Sequence, residues 1–354
     1  MKISRRQFVQ VLAVAGASAL LTACGGSSNN SAAGSTAASG AAAAAGGSFN
    51  LKLGHNLAED HAVHIQLTSF AEQVKEKTNG TVNIQIIPNG TLGSESDMIS
   101  QIQAGALDMA KVSASTLGNF SEKYNAFSVP YVFDDQDHYY TYMDSDSAQA
   151  VFESTDDQGF RGLTWLDSGA RSFYTKATAI RTPADLKGLK IRVQDMKSQT
   201  DMMNYLGGIP VAMSYGDVYT SLQTGIIDGT ENNETALTTG KHGEVCKVYS
   251  VDQHAMIPDV LIMSEKVWKQ ISPEDQEIIL EAAHNSTEAH KVMWDTAIEE
   301  AVKEAQETMG VEFVYDVDKE AFREATQPMI EAYEEQYPGV KTLMDTIEAA
   351  REGE

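Results

Sequence analysis

Apolar and polar positions alternate in "LKIRVQ" (189–194): Ile191 and Val193 share one face, and Lys190, Arg192 and Gln194 the other. A period of two predicts a strand. Elsewhere the period lengthens. In "HAVHIQLTSFAEQVKEKTNG" (61–80), Ile65, Phe70 and Val74 recur near helical spacing, and Asn79-Gly80 supplies the stop. Around this helix the pattern predicts a strand and loop in "FNLKLGHN" (49–56), a strand in "TVNIQIIP" (81–88), a helix in "SESDMISQIQAG" (94–105) and a strand in "LDMAKVSA" (107–114). Strands alternating with helices imply a parallel sheet with crossover helices.

The pattern then restarts. "RGLTWLDSG" (161–169) and "RSFYTK" (171–176) are strand-like, and "TPADLKG" (182–188) is a short helix with Pro183 at its first position. After "LKIRVQ" come a helix stopped by glycine (199–208), an extended "IPVAMS" (209–214), a second glycine-stopped helix (216–225) and a strand or loop in "IIDGTEN" (226–232). "PDVLIMS" (258–264) predicts a late strand. Ser272 and Pro273 have the positions of an N-cap and a first helical residue, Glu274 and Asp275 suit the helix dipole, and neither proline nor glycine follows until Gly310. A helix over 273–309 is therefore expected, far beyond the usual length of about a dozen residues. A short strand (311–316) and a final helix (318–338) interrupted near Pro328 close the chain. These elements predict an α/β fold: a bilobal clamp of two α/β lobes joined by crossing strands and a long helix. Lobe 1 spans about 49–168 and lobe 2 about 169–257, each with later segments, and the ligand site is expected in the cleft between them.

The first 48 residues stand outside this scheme. "MKISRRQF" is basic, "VQVLAVAGASALL" is apolar but too short for a comfortable membrane span, and "LTAC" follows. This is the layout of an export signal over 1–23. "SRRQF" resembles the twin-arginine pattern, although an ordinary export signal can also carry two arginines. "LTAC" before Gly25 resembles a lipoprotein box, with Cys24 as the lipidated residue. The uncharged, small-residue run to Ser48 reads as a tether. Lipidation of Cys24 leaves Cys246 alone, with no intrachain disulfide. The formal net charge of −24 disfavours nucleic acid, and no basic stripe offsets it. Any anionic ligand needs dedicated local cations.

The chain contains no G-x-S-x-G, P-loop, G-x-G-x-x-G or H-E-x-x-H. His55, His61 and His64 cluster without strict metal-ligand spacing; capping, hydrogen bonding or ligand contact are the competing roles. Cys246 reads as a core thiol. Asp228, Glu231 and Glu234 lie close in "DGTENNET", but glycosidase chemistry needs two carboxylates facing each other across a sugar. The alternative is a loop satisfying its own backbone, with binding through Asn232. No enzyme activity, metal or cofactor is expected. Beyond the export signal, arginine occurs only at 161, 171, 181, 192, 323 and 351. Arg171 and Arg192 sit at strand edges, where a guanidinium can pair with a structural carboxylate or grip a ligand's.

The stretch "DLKGLKIRVQDMKSQTDMMNYLGGIPVAMSYGDVYTSLQTGIIDGTENN" (185–233) resembles the central signature of TRAP-transporter solute-binding proteins of the dicarboxylate (DctP-type) family. "NGTLGSESDMISQIQAGALDMAKVS", "FSVPYVFDDQDH" and "DSGARSFYTK" match in order. The resemblance implies a periplasmic-binding-protein-like fold and an arginine–carboxylate clamp. By position it assigns the clamp to Arg192, a second arginine to Arg171, the loop amide to Asn232 and aromatic packing to Tyr215. It extends less specifically to Asn56, Glu95, Ser113 and Asp195; proximity adds His55 and Lys111. "GARSFYT" with "ENNET" is similar to the hexuronate-binding branch, implying a sugar acid delivered to TRAP membrane subunits. The expected product is a lipid-anchored monomer on the outer face of the cytoplasmic membrane. A receptor presenting the ligand to a sensor, or a C4-dicarboxylate binder, are the alternatives.

Overall fold

The computed structural model describes residues 48–351, which lie within one compact unit. The export signal, Cys24 and all but the last residue of the tether fall outside the described residues. Among the described residues eleven strands form two sheets. The first has the order β2 (Val82–Ile87), β1 (Phe49–Gly54), β3 (Met109–Ser113), β10 (Asp259–Ser264) and β4 (Phe160–Leu166). The second has the order β11 (Glu312–Val314), β9 (Val248–Met256), β5 (Ala170–Thr175), β8 (Gly229–Asn232), β6 (Lys190–Val193) and β7 (Ile209–Ala212). β1 pairs in parallel with β2 and β3, and β6 with β7 and β8. Both sheets are mixed, however: β10 runs antiparallel to β3 and β4, and β5 antiparallel to β8 and β9. The chain crosses between sheets in residues 167–169 and again between β9 and β10.

The inner strands β3 and β5 bury both faces because each alternates between two apolar clusters. In β3, Ala110 and Val112 enter a cluster with Phe127 and Tyr142, while Met109 enters one with Val63, Phe70 and Val74. In β5, Phe173 and Tyr174 likewise separate. Ile191 and Val193 of β6 join Phe173, which turns Arg192 toward the opposite face.

The helix Ala62–Lys77 buries Val63, Leu67, Phe70 and Val74. Ile65, placed on the apolar stripe by sequence, is 45% exposed. The stripe starts two residues earlier, at Val63. The helix Pro273–Glu307 is capped by Ser272, whose hydroxyl accepts from the Asp275 N–H. Ile279, Ala282 and Ala283 pack in the first lobe and Ala305 in the second, so one helix spans both. Its neighbour Lys319–Gln336 contains Pro328 without interruption, contrary to expectation. Burial of Phe322, Thr326, Met329 and Tyr333 around the proline holds the helix through the missing hydrogen bond. The break comes instead at Tyr337, extended at φ −125° before Pro338, and a further helix, Pro338–Arg351, packs Val340, Leu343 and Ile347 into the first lobe. Among the described residues no helix is long and apolar enough to cross a membrane.

Candidate functional site

A cavity of about 390 Å³ opens between the two sheets. Its walls come largely from the carboxyl ends of parallel strands: Asn56 beyond β1, Asn89, Gly90 and Gly93 to Asp97 beyond β2, Lys111 and Ser113 of β3, Arg192, Gln194 and Asp195 at β6, Met213 to Asp217 beyond β7, and Asn232, Asn233, Thr235 and Ala236 at β8. Carboxyl ends leave loops and helix starts free to carry polar groups while the apolar alternation stays in the sheet.

On the first-lobe wall, Ser94 and Asp97 cap each other at the start of the helix Glu95–Ala104. That cap fixes Glu95 in the first turn. Its Oε2 accepts from the Ser113 N–H at 3.1 Å and the Thr116 hydroxyl at 2.8 Å. Lys111 Nζ donates to Asp259 Oδ2 at 3.0 Å, Asn56 Oδ1 at 3.3 Å and Glu95 Oε1 at 3.4 Å. Burial alone would pull the Lys111 ammonium down, but Asp259 and Glu95 outweigh it and raise it. Burial pushes the Asp259 carboxyl up against the pull of Lys111.

The second-lobe wall holds two buried guanidiniums in different circumstances. Arg171 donates from Nε to Glu231 Oε2 at 2.5 Å, and from Nη2 to Glu231 Oε1 and the Glu231 carbonyl at 3.0 and 2.9 Å. Its Nη1 reaches Asn232 Oδ1 at 3.0 Å. Behind the pair, His254 Nδ1 lies 2.7 Å from Asp252 and Nε2 3.5 Å from Glu231. Burial alone would lower the His254 imidazole; Asp252 and Glu231 push it up to about 9. Burial would raise Glu231, but Arg171 and His254 bring it down to about 2. Arg171 is therefore a neutralised, fixed donor.

Arg192 is only 3% exposed. It donates from Nε and Nη2 to the Met213 carbonyl at 3.0 and 2.8 Å. Among the described residues no carboxylate pairs with it, and burial pulls its guanidinium below the usual value. A buried charge without a counter-ion is costly, and this one borders an open cavity. Asn232 Oδ1 is taken by Arg171 and the Asn233 N–H, which leaves its Nδ2 hydrogens for the cavity. The Tyr215 ring packs 5.5 Å from His242.

Three contacts tie the lobes together at the cavity. His61 Nδ1 accepts from the Val63 N–H, so Nε2 carries the proton and donates to Thr235 Oγ1 at 3.1 Å. Gln194 Nε2 donates to Ser113 Oγ at 3.1 Å. Asn119 Nδ2 donates to the Asp195 carbonyl at 2.8 Å.

Of the ten residues expected at the ligand, the structure brings nine to the cavity wall: Arg192, Arg171, Asn232, Tyr215, Asn56, Glu95, Ser113, Lys111 and Asp195. His55 is placed elsewhere. Its Nδ1 accepts from the Leu57 N–H at 3.2 Å and its Nε2 meets His64 Nδ1 at 3.0 Å, while burial holds it at about 3. The lining histidine is His61. The three carboxylates of "DGTENNET" do not converge: Asp228 accepts from the Lys190 N–H at 2.9 Å, Glu231 pairs with Arg171, and Glu234 borders a separate cavity beside Trp294. Sequence reasoning missed Gln194, although alternation places it on the face of Arg192. It also missed Asn233, Thr235 and Asp259, for which no local pattern speaks.

Residues 53–336 match the sequence profile of the bacterial extracellular solute-binding proteins, family 7 (DctP). The uncharacterized protein YiiZ of Salmonella typhimurium is 42% identical over 283 residues, covering 80% of this chain and 86% of that protein. A TRAP periplasmic solute-binding protein of Anaerococcus prevotii, solved with bound D-glucuronate, superposes with a TM-score of 0.84 at 38% identity, covering 86% of this chain and 99% of that one. Its counterpart from Sulfitobacter sp. NAS-14.1, solved with β-D-galacturonate, gives 0.81 at 34% identity over 84% and 99%.

Proposed function

Because the chain belongs to family 7 of the bacterial extracellular solute-binding proteins and is of the TRAP-transporter type, we propose that the acid it captures is a hexuronate, D-glucuronate or D-galacturonate. The observation that carries this reading is Arg192: a buried guanidinium without an acidic partner among the described residues, on the wall of a cavity otherwise rich in amides and hydroxyls. A ligand carboxylate supplies the missing counter-charge, with the Nη1 of Arg171 and the Nδ2 of Asn232 as further donors. Such charge-assisted bonds are the strong ones, and bidentate geometry suits guanidinium and carboxylate. Asn56, Glu95, Lys111, Ser113 and Asp195 then offer partners to ring hydroxyls, and Tyr215 packs against the sugar. Both similar solved structures named above hold uronates.

The rest of the reading places the protein in its setting. It is a binding protein and not an enzyme, it works as a monomer outside the cytoplasmic membrane, and it passes its ligand to TRAP membrane subunits. A lipid on Cys24 holds it there through the tether; loss of membrane association in a Cys24→Ala strain is the expected outcome, and unchanged association would refute the anchor. A thermal-shift screen of the body with D-glucuronate, D-galacturonate and succinate tests the ligand, since binding to the native state alone raises apparent stability. We expect a shift with a uronate. A shift with succinate alone would discard the hexuronate assignment.

A further inference from the structure

Among the described residues three buried cations border the cavity, and one of them is unspent. Arg171 is matched by Glu231. Lys111 is matched twice, by Asp259 at 3.0 Å and Glu95 at 3.4 Å. Arg192 meets only a neutral carbonyl. The cavity is thus electrically divided: one free positive charge on the second-lobe wall faces a first-lobe wall where two carboxylates surround one ammonium. From this division, and resting on the reading above, we propose that the site admits ligands with a single carboxylate and that Glu95 and Asp259 reject a second one.

The chemistry of the first-lobe wall separates hydroxyl from carboxylate. A hydroxyl donates a proton to an anionic oxygen and accepts one from an ammonium, so it is at home beside Glu95 and Lys111. A carboxylate at the same place has no proton to give Glu95 and meets a like charge in a site screened from water. The Lys111 charge that would offset it is already matched by Asp259 and Glu95. Like charges brought together at a binding surface are a common means of excluding a wrong ligand. Glu95 is not free to swing away, because Ser113 N–H and the Thr116 hydroxyl hold its Oε2. The selectivity is therefore built into the start of one helix and the ends of β3 and β10.

Titration calorimetry with acids that share a carbon skeleton tests this. D-glucuronate and D-gluconate carry one carboxylate; D-glucarate carries one at each end. We expect the better monoacid to bind at least about a hundredfold tighter than D-glucarate, the factor that a few kcal/mol of like-charge repulsion produces. Glu95→Gln keeps the side chain's shape and an acceptor for the Ser113 N–H but removes the charge, and should cut that ratio by about tenfold or more through tighter D-glucarate binding. Asp259→Asn is the second variant, expected to shift the ratio in the same direction. D-glucarate binding to wild type as tightly as the monoacid, or a ratio unmoved by both variants, would overturn the proposal. The two readings fail separately. D-gluconate binding without either uronate discards the hexuronate ligand and keeps the single-carboxylate rule; equal binding of D-glucuronate and D-glucarate does the reverse.

Discussion

Arg171 and Arg192 lie on strands separated only by β8, and both are buried, yet truncation should affect them differently. Arg192→Ala removes a charge that the protein itself does not neutralise. We expect binding of the preferred acid to weaken by about 2–5 kcal/mol, while the ligand-free protein unfolds at the same denaturant concentration or a higher one. Arg171→Ala strands Glu231 in the interior and should cost the ligand-free protein about 3–5 kcal/mol, read from urea unfolding. Equal losses of ligand-free stability in both variants would make Arg192 a structural arginine. At this scale the sequence is informative about facing but not about partners. Alternation in "LKIRVQ" put Arg192 opposite Ile191 and Val193. It carried nothing about whether the opposite face held water, a carboxylate or a cavity, because Met213 and Glu231 arrive there from 21 and 39 residues further along the chain. The same limit explains His55: its closeness in sequence to Asn56 was real, but its ring turns back to Leu57 and His64.

Elements with strong local signals were legible almost to the residue. The capped helix Pro273–Glu307, the glycine-stopped helix Glu95–Ala104 and the strands β1 to β3 all carry their own punctuation. Elements sustained by tertiary contacts were not. β9 escaped notice because Asp252, Gln253 and His254 interrupt its apolar pattern. Two of these polar side chains are buried by pairing with each other and, through His254, with Glu231, and Gln253 turns at φ +50°. Pro328 misled in the opposite direction, since packing overrides the local penalty. Pro328→Ala tests that account. Restoring the N–H returns a hydrogen bond to the helix, while greater freedom of the unfolded chain takes back part of the gain. We expect a net stabilisation of about 1–2 kcal/mol in the denaturant midpoint. A loss of stability would mean that the proline ring itself is a needed part of the packing.

For the whole molecule, buried titratable groups set the pH range of stability. His254 is held at about 9 against an ordinary 6.5. Its contribution is therefore complete below about pH 6.5 and lost as pH rises through 9. His55, His61 and His242 are pushed by burial to about 3. They stay neutral in the folded protein while the unfolded chain takes up protons, so stability falls as pH drops from 6.5 toward 3. Glu231, at about 2 against 4.5, adds to the acid loss below pH 4.5. Urea midpoints across pH 3–9 should peak near pH 6.5, and His254→Gln should flatten the alkaline limb. A wild-type midpoint that climbs steadily to pH 9 would contradict the charged His254 network.

What the sequence determined by itself is what depends on neighbours along the chain: periodicity, caps, stops, and the motifs that mark the TRAP solute-binding family. Those signals lie in contiguous residues, and short-range geometry is enough to read them. The tertiary structure decided the rest. It set that both sheets are mixed, that the last helix returns to the first lobe, and which of the three cations buried at the cavity lacks a carboxylate among the described residues. Each depends on side chains meeting across tens or hundreds of residues, as Arg171 meets Glu231 and Lys111 meets Asp259, and charge compensation in a buried site is settled only when those distances close.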